Sequence, residues 1–229
     1  MVQGRVVPRK VCYLRTNMIK VQRFVCNMLQ ENCYIVSDDT NEAVVIDCGA
    51  YYNAERQAVM QYIDDQQLKL RHLLCTHAHF DHCFGNAALW HRYHVKPCLP
   101  HGDEALADLD RQMQQMMGTG YSEEQAPIGS LYTSDDSFSF GTHCLTVIAT
   151  PGHSQGSCCL YCADEHLLFT GDTLFCQSIG RTDFEGGSWT AMQQSLRQIA
   201  QLPVDTRVLP GHGPETTIGR ELQTNPYLT

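Results

Sequence analysis

The chain has 229 residues, enough for one large domain with a sizeable core or for two small ones. Apolar residues make up 43% and charged residues 18%, an ordinary globular composition, and the formal net charge of −9 without a run of Lys or Arg argues against a general nucleic-acid binder. No apolar stretch approaches the ~20 residues that span a bilayer, so no membrane association is expected and the expected location is cytoplasmic.

Residues 1–17 carry Arg5, Arg9, Lys10 and Arg15 with little apolar periodicity. They read as an N-terminal extension, disordered or a short basic targeting arm, outside a single domain over residues 18–229. From Ile19 the chain reads as consecutive β-structure: Ile19–Cys26 alternates, Asn32–Ser37 holds Cys-Tyr-Ile-Val, and Ala43–Ile46 is a β-branched run ending in Asp47-Cys48-Gly49. Residues 53–66 place Val59, Met60 and Ile63 on one helical face. A strand over residues 71–76 follows, then a helix from Asp81 to Tyr93 with Asp81 and His82 in its first turn, and a short strand at Val95–Leu99. His101–Met117 reads as a helix through Leu106, Leu109, Met113 and Met116, and Gly118–Ser137 as a loop. Strand patterns return at His143–Ala149, Ser157–Cys162 and His166–Thr170. Ser188 caps a helix with Met192, Leu196 and Ile199 on its buried face, and Arg207–Leu209 makes a last strand. Helices interspersed among β-runs in two successive halves predict a layered α/β domain.

Twelve cysteines lie scattered through strand-like contexts, which fits reduced thiols used as small hydrophobes. Cys159 and Cys162 form one CxxC, but they alternate with Leu160 and Tyr161 as in a strand, and no second CxxC completes a four-thiolate site.

The stretch Leu73-Leu74-Cys75-Thr76-His77-Ala78-His79-Phe80-Asp81-His82 carries the chemistry. Three imidazoles and a carboxylate fall within six residues directly after an apolar strand, and these are ligand types for first-row metals. Three further candidates also stand where strands end: His153 after Thr150-Pro151-Gly152, Asp172 after Thr170-Gly171, and His212 after Pro210-Gly211. Each follows a glycine that permits a tight turn. A lone His is more often structural, but seven candidates are too many for one tetrahedral zinc and suit two metals sharing a carboxylate.

This pattern resembles the metallo-β-lactamase superfamily. Within it the chain resembles the glyoxalase II-like (hydroxyacylglutathione) hydrolases, particularly their short single-domain bacterial members. The likeness runs from Met18 to Leu228. It includes Gln30-Glu31-Asn32-Cys33-Tyr34, Asp47-Cys48-Gly49 where the family has Asp-Pro-Gly, Gly180-Arg181-Thr182-Asp183-Phe184 and Asn225-Pro226-Tyr227. The resemblance implies an αββα sandwich. It also implies His77, His79 and His153 on one divalent metal, Asp81, His82 and His212 on a second, and Asp172 bridging, with zinc, iron or manganese as the metal. The implied reaction is hydrolysis of a small-molecule acyl thioester by a metal-bridging hydroxide that Asp81 orients. Arg181 and Phe184 are candidate substrate contacts, with Arg181 either meeting a substrate carboxylate or pairing with Asp183 or Glu185. Full-length glyoxalase II carries a further C-terminal segment that contacts glutathione, whereas only seventeen residues follow His212 here.

Persulfide dioxygenases resemble the chain too, through the Gly-Arg-Thr-Asp-Phe loop, and imply one iron on His77, His153 and Asp172. A nuclease of the same superfamily fits the acidic chain poorly. Flavin-linked diiron reductases carry Glu where this chain has His79. A non-catalytic metal-binding protein would seldom use seven ligands. Oligomeric state is left open.

Overall fold

The computed structural model describes residues 19–108 and 126–228. The extension over residues 1–17, the second half of the helix expected up to Met117 and the loop over residues 118–125 lie outside them.

Two mixed six-stranded sheets face each other. The first is built from β1 (Lys20–Cys26), β2 (Glu31–Ser37), β3 (Glu42–Ile46), β4 (Lys69–Leu74), β5 (Pro97–Pro100) and β6 (Ser130–Tyr132), paired in that order. The second runs β14 (Thr216–Thr217), β13 (Arg207–Pro210), β10 (Leu167–Gly171), β9 (Cys158–Cys162), β8 (His143–Ala149), β7 (Ser137–Phe140). A small ribbon of β11 (Leu174–Phe175) and β12 (Ser178–Ile179) sits beside it.

Alternation along the strands explains the layering. Tyr34 and Val36 of β2 point between the sheets with Val44, Ile46, Phe140, Leu145, Leu160 and Phe169, while Cys33 and Ile35 point outward into a second cluster. That outer cluster is closed by Val59 and Ile63 of α1 (Asn53–Asp65) and Leu89 of α2 (Asn86–Tyr93). On the far side, Cys159, Leu168 and Val208 pack against Met192, Leu196 and Ile199 of α3 (Trp189–Ile199) and Ile218 of α4 (Ile218–Thr224). Four layers, αββα, result, because each sheet buries both faces. Among the parallel pairs, β3–β4, β4–β5 and β10–β13 are joined by crossovers that α1, α2 and α3 supply. Ser188 caps α3 as expected, its hydroxyl accepting the Ala191 N–H.

Three expectations change. Asp81 and His82 lie not in α2 but in a separate 3₁₀ turn, Phe80–His82, closed by His82 N–H to the His79 carbonyl and Cys83 N–H to the Phe80 carbonyl. The helix begins only at Asn86, because the Gly85 N–H is drawn to the Cys48 carbonyl. Within the expected loop, Ser130–Tyr132 forms β6, too short to show alternation, held by the Tyr132 hydroxyl on the Cys75 carbonyl. Ser137-Phe138-Ser139-Phe140 is β7, with both phenylalanines turned inward. Cys159 and Cys162 belong to clusters on opposite faces of their sheet, so that CxxC cannot grip a single metal ion.

The two sheets are stitched together at one edge. The Asn32 N–H donates to the Gly211 carbonyl at 2.7 Å, the Asn32 side chain to the carbonyls of Pro210 and Gly213, and the Tyr34 hydroxyl to Pro210. The sequence around Asn32 thus fixes the turn that carries His212.

Candidate metal centre

All seven candidate ligands meet at that edge. His77, His79, Asp81 and His82 come from the turn after β4, His153 from the loop after β8, Asp172 from the end of β10, and His212 from the end of β13. Ligands gather where strands stop, because the backbone there is released from the ladder. Glycines make the approach possible. Gly171 has φ +46°, and a Cβ on it would run into the Thr76 side chain; one on Gly211 would stand 2.5 Å from Asp172 Oδ1 and 2.7 Å from the His82 ring.

Most of the imidazoles are held from behind. His153 Nδ1–H donates to the Arg181 carbonyl at 2.7 Å, His212 Nδ1–H to the Leu29 carbonyl at 3.1 Å, and His77 Nδ1 meets the Thr76 hydroxyl at 3.1 Å. These partners leave the Nε2 lone pairs facing the centre. His79 presents Nδ1, 2.8 Å from His153 Nε2. His82 Nδ1 lies 3.1 Å from Asp47 Oδ2, while its Nε2 stands 3.4 Å from Asp172 Oδ1.

Four three-residue groups have ligand atoms within 4.8 Å of one another; two of them, His77, His79 and His153, and Asp81, His82 and His212, share no residue and take in six of the seven candidates. Asp172 lies between them. Its Oδ2 is 3.4 Å from His153 Nε2 on one side, and its Oδ1 is 3.4 Å from His82 Nε2 and 3.7 Å from His212 Nε2 on the other.

The electrostatics match a cation site. Burial, together with the neighbouring imidazoles, pulls His77 well below its usual range and His79 down to about 4, so both are neutral donors at neutral pH. Burial opposes ionisation of Asp81 and Asp172, but the imidazoles of His82, His153 and His212 outweigh it and hold both carboxyls below the usual range. His82 is pushed the other way: burial disfavours its charge, yet Asp81, Asp172 and Asp47 raise it well above its usual value. His77 Nε2, His82 Nε2 and Asp172 Oδ1 are buried without any hydrogen-bond partner. Buried polar atoms are rarely orphaned, and three around one space fit a divalent ion.

Sequence reasoning missed the supports. Asp47 accepts the Thr76 N–H and hydroxyl at 2.7 and 2.8 Å and reaches His82. It sits at φ +51°, an uncommon conformation for a residue with a side chain, and its place at a strand end before Gly49 was a usable signal. Glu31, fully buried behind His82, and Asp103, which binds two of the ligand loops, had no such signal.

Of the two expected substrate contacts, both border the cleft above the cluster. The Phe184 ring stands edge-on to His79 with centroids 5.6 Å apart. The Arg181 guanidinium, however, is forked onto Asp183 through two 2.7 Å bonds and lies 3.7 Å over the Phe184 ring, while its carbonyl supports His153. The loop pairing expected as one of the two roles of Arg181 is formed.

An αββα fold with a His/Asp cluster at the sheet edge defines a class of metal-dependent proteins. The model of the metallo-beta-lactamase superfamily matches residues 26–212, and the chain belongs to that superfamily, whose members are typically metal-dependent hydrolases. It is 34% identical over 214 residues to the probable metallo-hydrolase YqgX of Bacillus subtilis, covering 92% of this chain and 98% of that one. It is 30% identical over 201 residues to the hydroxyacylglutathione hydrolase GloC of Haemophilus influenzae, covering 87% and 93%. Among solved structures, the B3 metallo-beta-lactamase BLEG-1 is 37% identical with a TM-score of 0.78, covering 93% of this chain and 100% of that one. TTHA1623 in a di-iron-bound form is 32% identical with a TM-score of 0.79, covering 91% and 100%. ETHE1 from Myxococcus xanthus is 26% identical with a TM-score of 0.72, covering 90% and 83%. Among the described residues, no helix is long and apolar enough to cross a membrane.

Proposed function

We propose that the protein is a dinuclear metal-dependent hydrolase of small-molecule acyl thioesters, with the hydroxyacylglutathiones as the nearest precedent. The observation that carries this reading is the pair of three-residue sets with Asp172 aiming one oxygen at each. His77, His79 and His153 would hold one divalent cation, Asp81, His82 and His212 the other, and Asp172 would serve both; zinc, iron and manganese all suit these donors. Bound there, the cations supply a water of lowered pKa and a counter-charge for the acyl oxygen.

The chain's own residues do the rest. Asp81, 3.3 Å from His212 Nε2 and bordering the cleft, orients the attacking water and takes up a proton. Asp47 stands behind His82, and Phe80 and Phe184 border the cleft on one side. No Ser or Cys nucleophile is required. The name of the Haemophilus relative supports the thioester class, and the di-iron-bound neighbour supports two metals.

The likeness to ETHE1 supports a second reading, a one-iron persulfide dioxygenase on His77, His153 and Asp172. Elemental analysis of the purified protein, paired with S-lactoylglutathione hydrolysis and oxygen uptake with glutathione persulfide, separates the two. About two metal ions per chain with thioester hydrolysis is expected. One iron with persulfide-dependent oxygen uptake would overturn the hydrolase.

A further inference from the structure

The cleft above the cluster encloses about 610 Å³, and its apolar walls are Leu29, Phe80, Leu106, Phe175 and Phe184. Two of these large side chains are left half in water, Leu29 at 48% and Phe184 at 44% exposure. They flank opposite members of the cluster: the Leu29 carbonyl holds His212, and the Phe184 ring abuts His79. Apolar surface clustered at the mouth of a site is favourable only when a ligand covers it.

The charge in the lining points the same way. Among the described residues that border the cleft, the one Lys or Arg side chain is Arg181, and its guanidinium is paired with Asp183 and lies over the face of Phe184. Glu185 adds a negative charge. A substrate arm bearing free carboxylates, as glutathione does, would lay them beside phenylalanines and an acid, and burying an unpaired charge is costly.

We propose that the site selects thioesters with an apolar, uncharged acyl chain of roughly four to eight carbons, seated against Leu29, Phe80, Phe175 and Phe184, over thioesters with an anionic arm. This rests on the thioester hydrolase reading above. In the step, water oxygen bonds to the acyl carbon, the carbon–sulfur bond breaks, and the thiolate leaves with the electron pair. The proton from water passes by way of Asp81 to the thiolate, giving one carboxylic acid and one thiol.

The test compares kcat/KM of the metal-loaded protein for acetyl-, butanoyl- and hexanoyl-N-acetylcysteamine with that for S-lactoylglutathione. The expected result is a rise of up to about fourfold per added CH₂ and a higher value for the hexanoyl thioester than for S-lactoylglutathione. Phe184→Ala should flatten the chain-length slope by lowering kcat/KM more for the hexanoyl substrate than for the acetyl one; a purely structural role would lower both by the same factor and leave the slope unchanged. An activity-free readout is calorimetric binding of S-hexyl-N-acetylcysteamine to metal-free protein, expected to be tighter than that of S-hexylglutathione and to show a negative heat-capacity change. A flat slope, or S-lactoylglutathione preferred tenfold, overturns the selectivity and leaves the hydrolase standing. No turnover of any of the four thioesters by metal-loaded protein overturns the hydrolase reading itself, and the proposal with it.

Discussion

The Ser154 hydroxyl donates to Asp103 Oδ2 at 2.8 Å, tying the residue that follows His153 to the loop after β5. The same carboxylate accepts the N–H of Ala78, which lies between His77 and His79, at 3.0 Å, and the N–H of Gly156 at 2.6 Å. One buried carboxylate therefore sets the spacing of the two loops that carry His77, His79 and His153. Asp103→Asn replaces one acceptor oxygen by an amide that faces donors. A loss of about 1–3 kcal/mol in stability is expected, with metal affinity at that set weakened about 10–100-fold. Thermal melting and competition with a chelator measure both, and unchanged values would remove the role.

Asp47 acts on the other set. Its carboxylate takes two bonds from Thr76 and sets an oxygen 3.1 Å from His82 Nδ1, behind the ring whose Nε2 faces Asp81 and Asp172. Asp47→Asn should weaken metal retention by the Asp81, His82 and His212 set about 10–100-fold. The metal count per chain after dialysis against a weak chelator is expected to fall toward one. A variant that keeps its full complement would show the His82 ring to be held by packing alone.

Asp81 is assigned two duties, ligand and proton acceptor, and substitution can separate them. Asp81→Asn should lower kcat about 100-fold or more, since an amide cannot take up a proton, while affinity for the metal on His77, His79 and His153 changes little. Steady-state kinetics beside metal titration decide the matter. Turnover within a few-fold of the parent, with metals retained, would sink the proton-accepting role.

Acid stability has its own source, away from the site. Asp38, in the β2–β3 turn, accepts hydrogen bonds from Thr40, Thr142 and His143, joining the two sheets. Burial pushes its pKa up, but these bonds outweigh burial and hold it at about 2. The unfolded value is about 3.9, so the folded carboxyl is depressed. Its contribution, about 2 kcal/mol, is complete above about pH 4 and is lost as the pH falls through about 2. Asp38→Asn should therefore lower unfolding free energy at pH 7 by about that amount, and the gap to the parent should narrow near pH 2. Urea titrations of metal-free protein at both pH values test it; a gap independent of pH would assign the effect to lost packing.

What the sequence determined by itself is local. Apolar runs and their period marked most of the described strands and the helices α1, α2 and α3, since alternation and helical spacing act between near neighbours. The seven candidate ligands were legible because each stands just past such a run, and three of them follow a glycine in a tight turn. Tertiary structure decided what depends on distant partners. Asp47 belongs to His82 across thirty-five positions, and Asp103 serves Ala78 and Ser154 from opposite sides in the chain. β6 exists because β5 and the Cys75 carbonyl hold it, which three residues could not announce. Arg181 could pair with its near neighbour or reach a ligand on local grounds alone; the fold turned its fork onto Asp183 and laid Phe184 over it, leaving the cleft with apolar walls. Local pattern fixes which groups can reach a strand end, and only the closed fold fixes what each of them meets there.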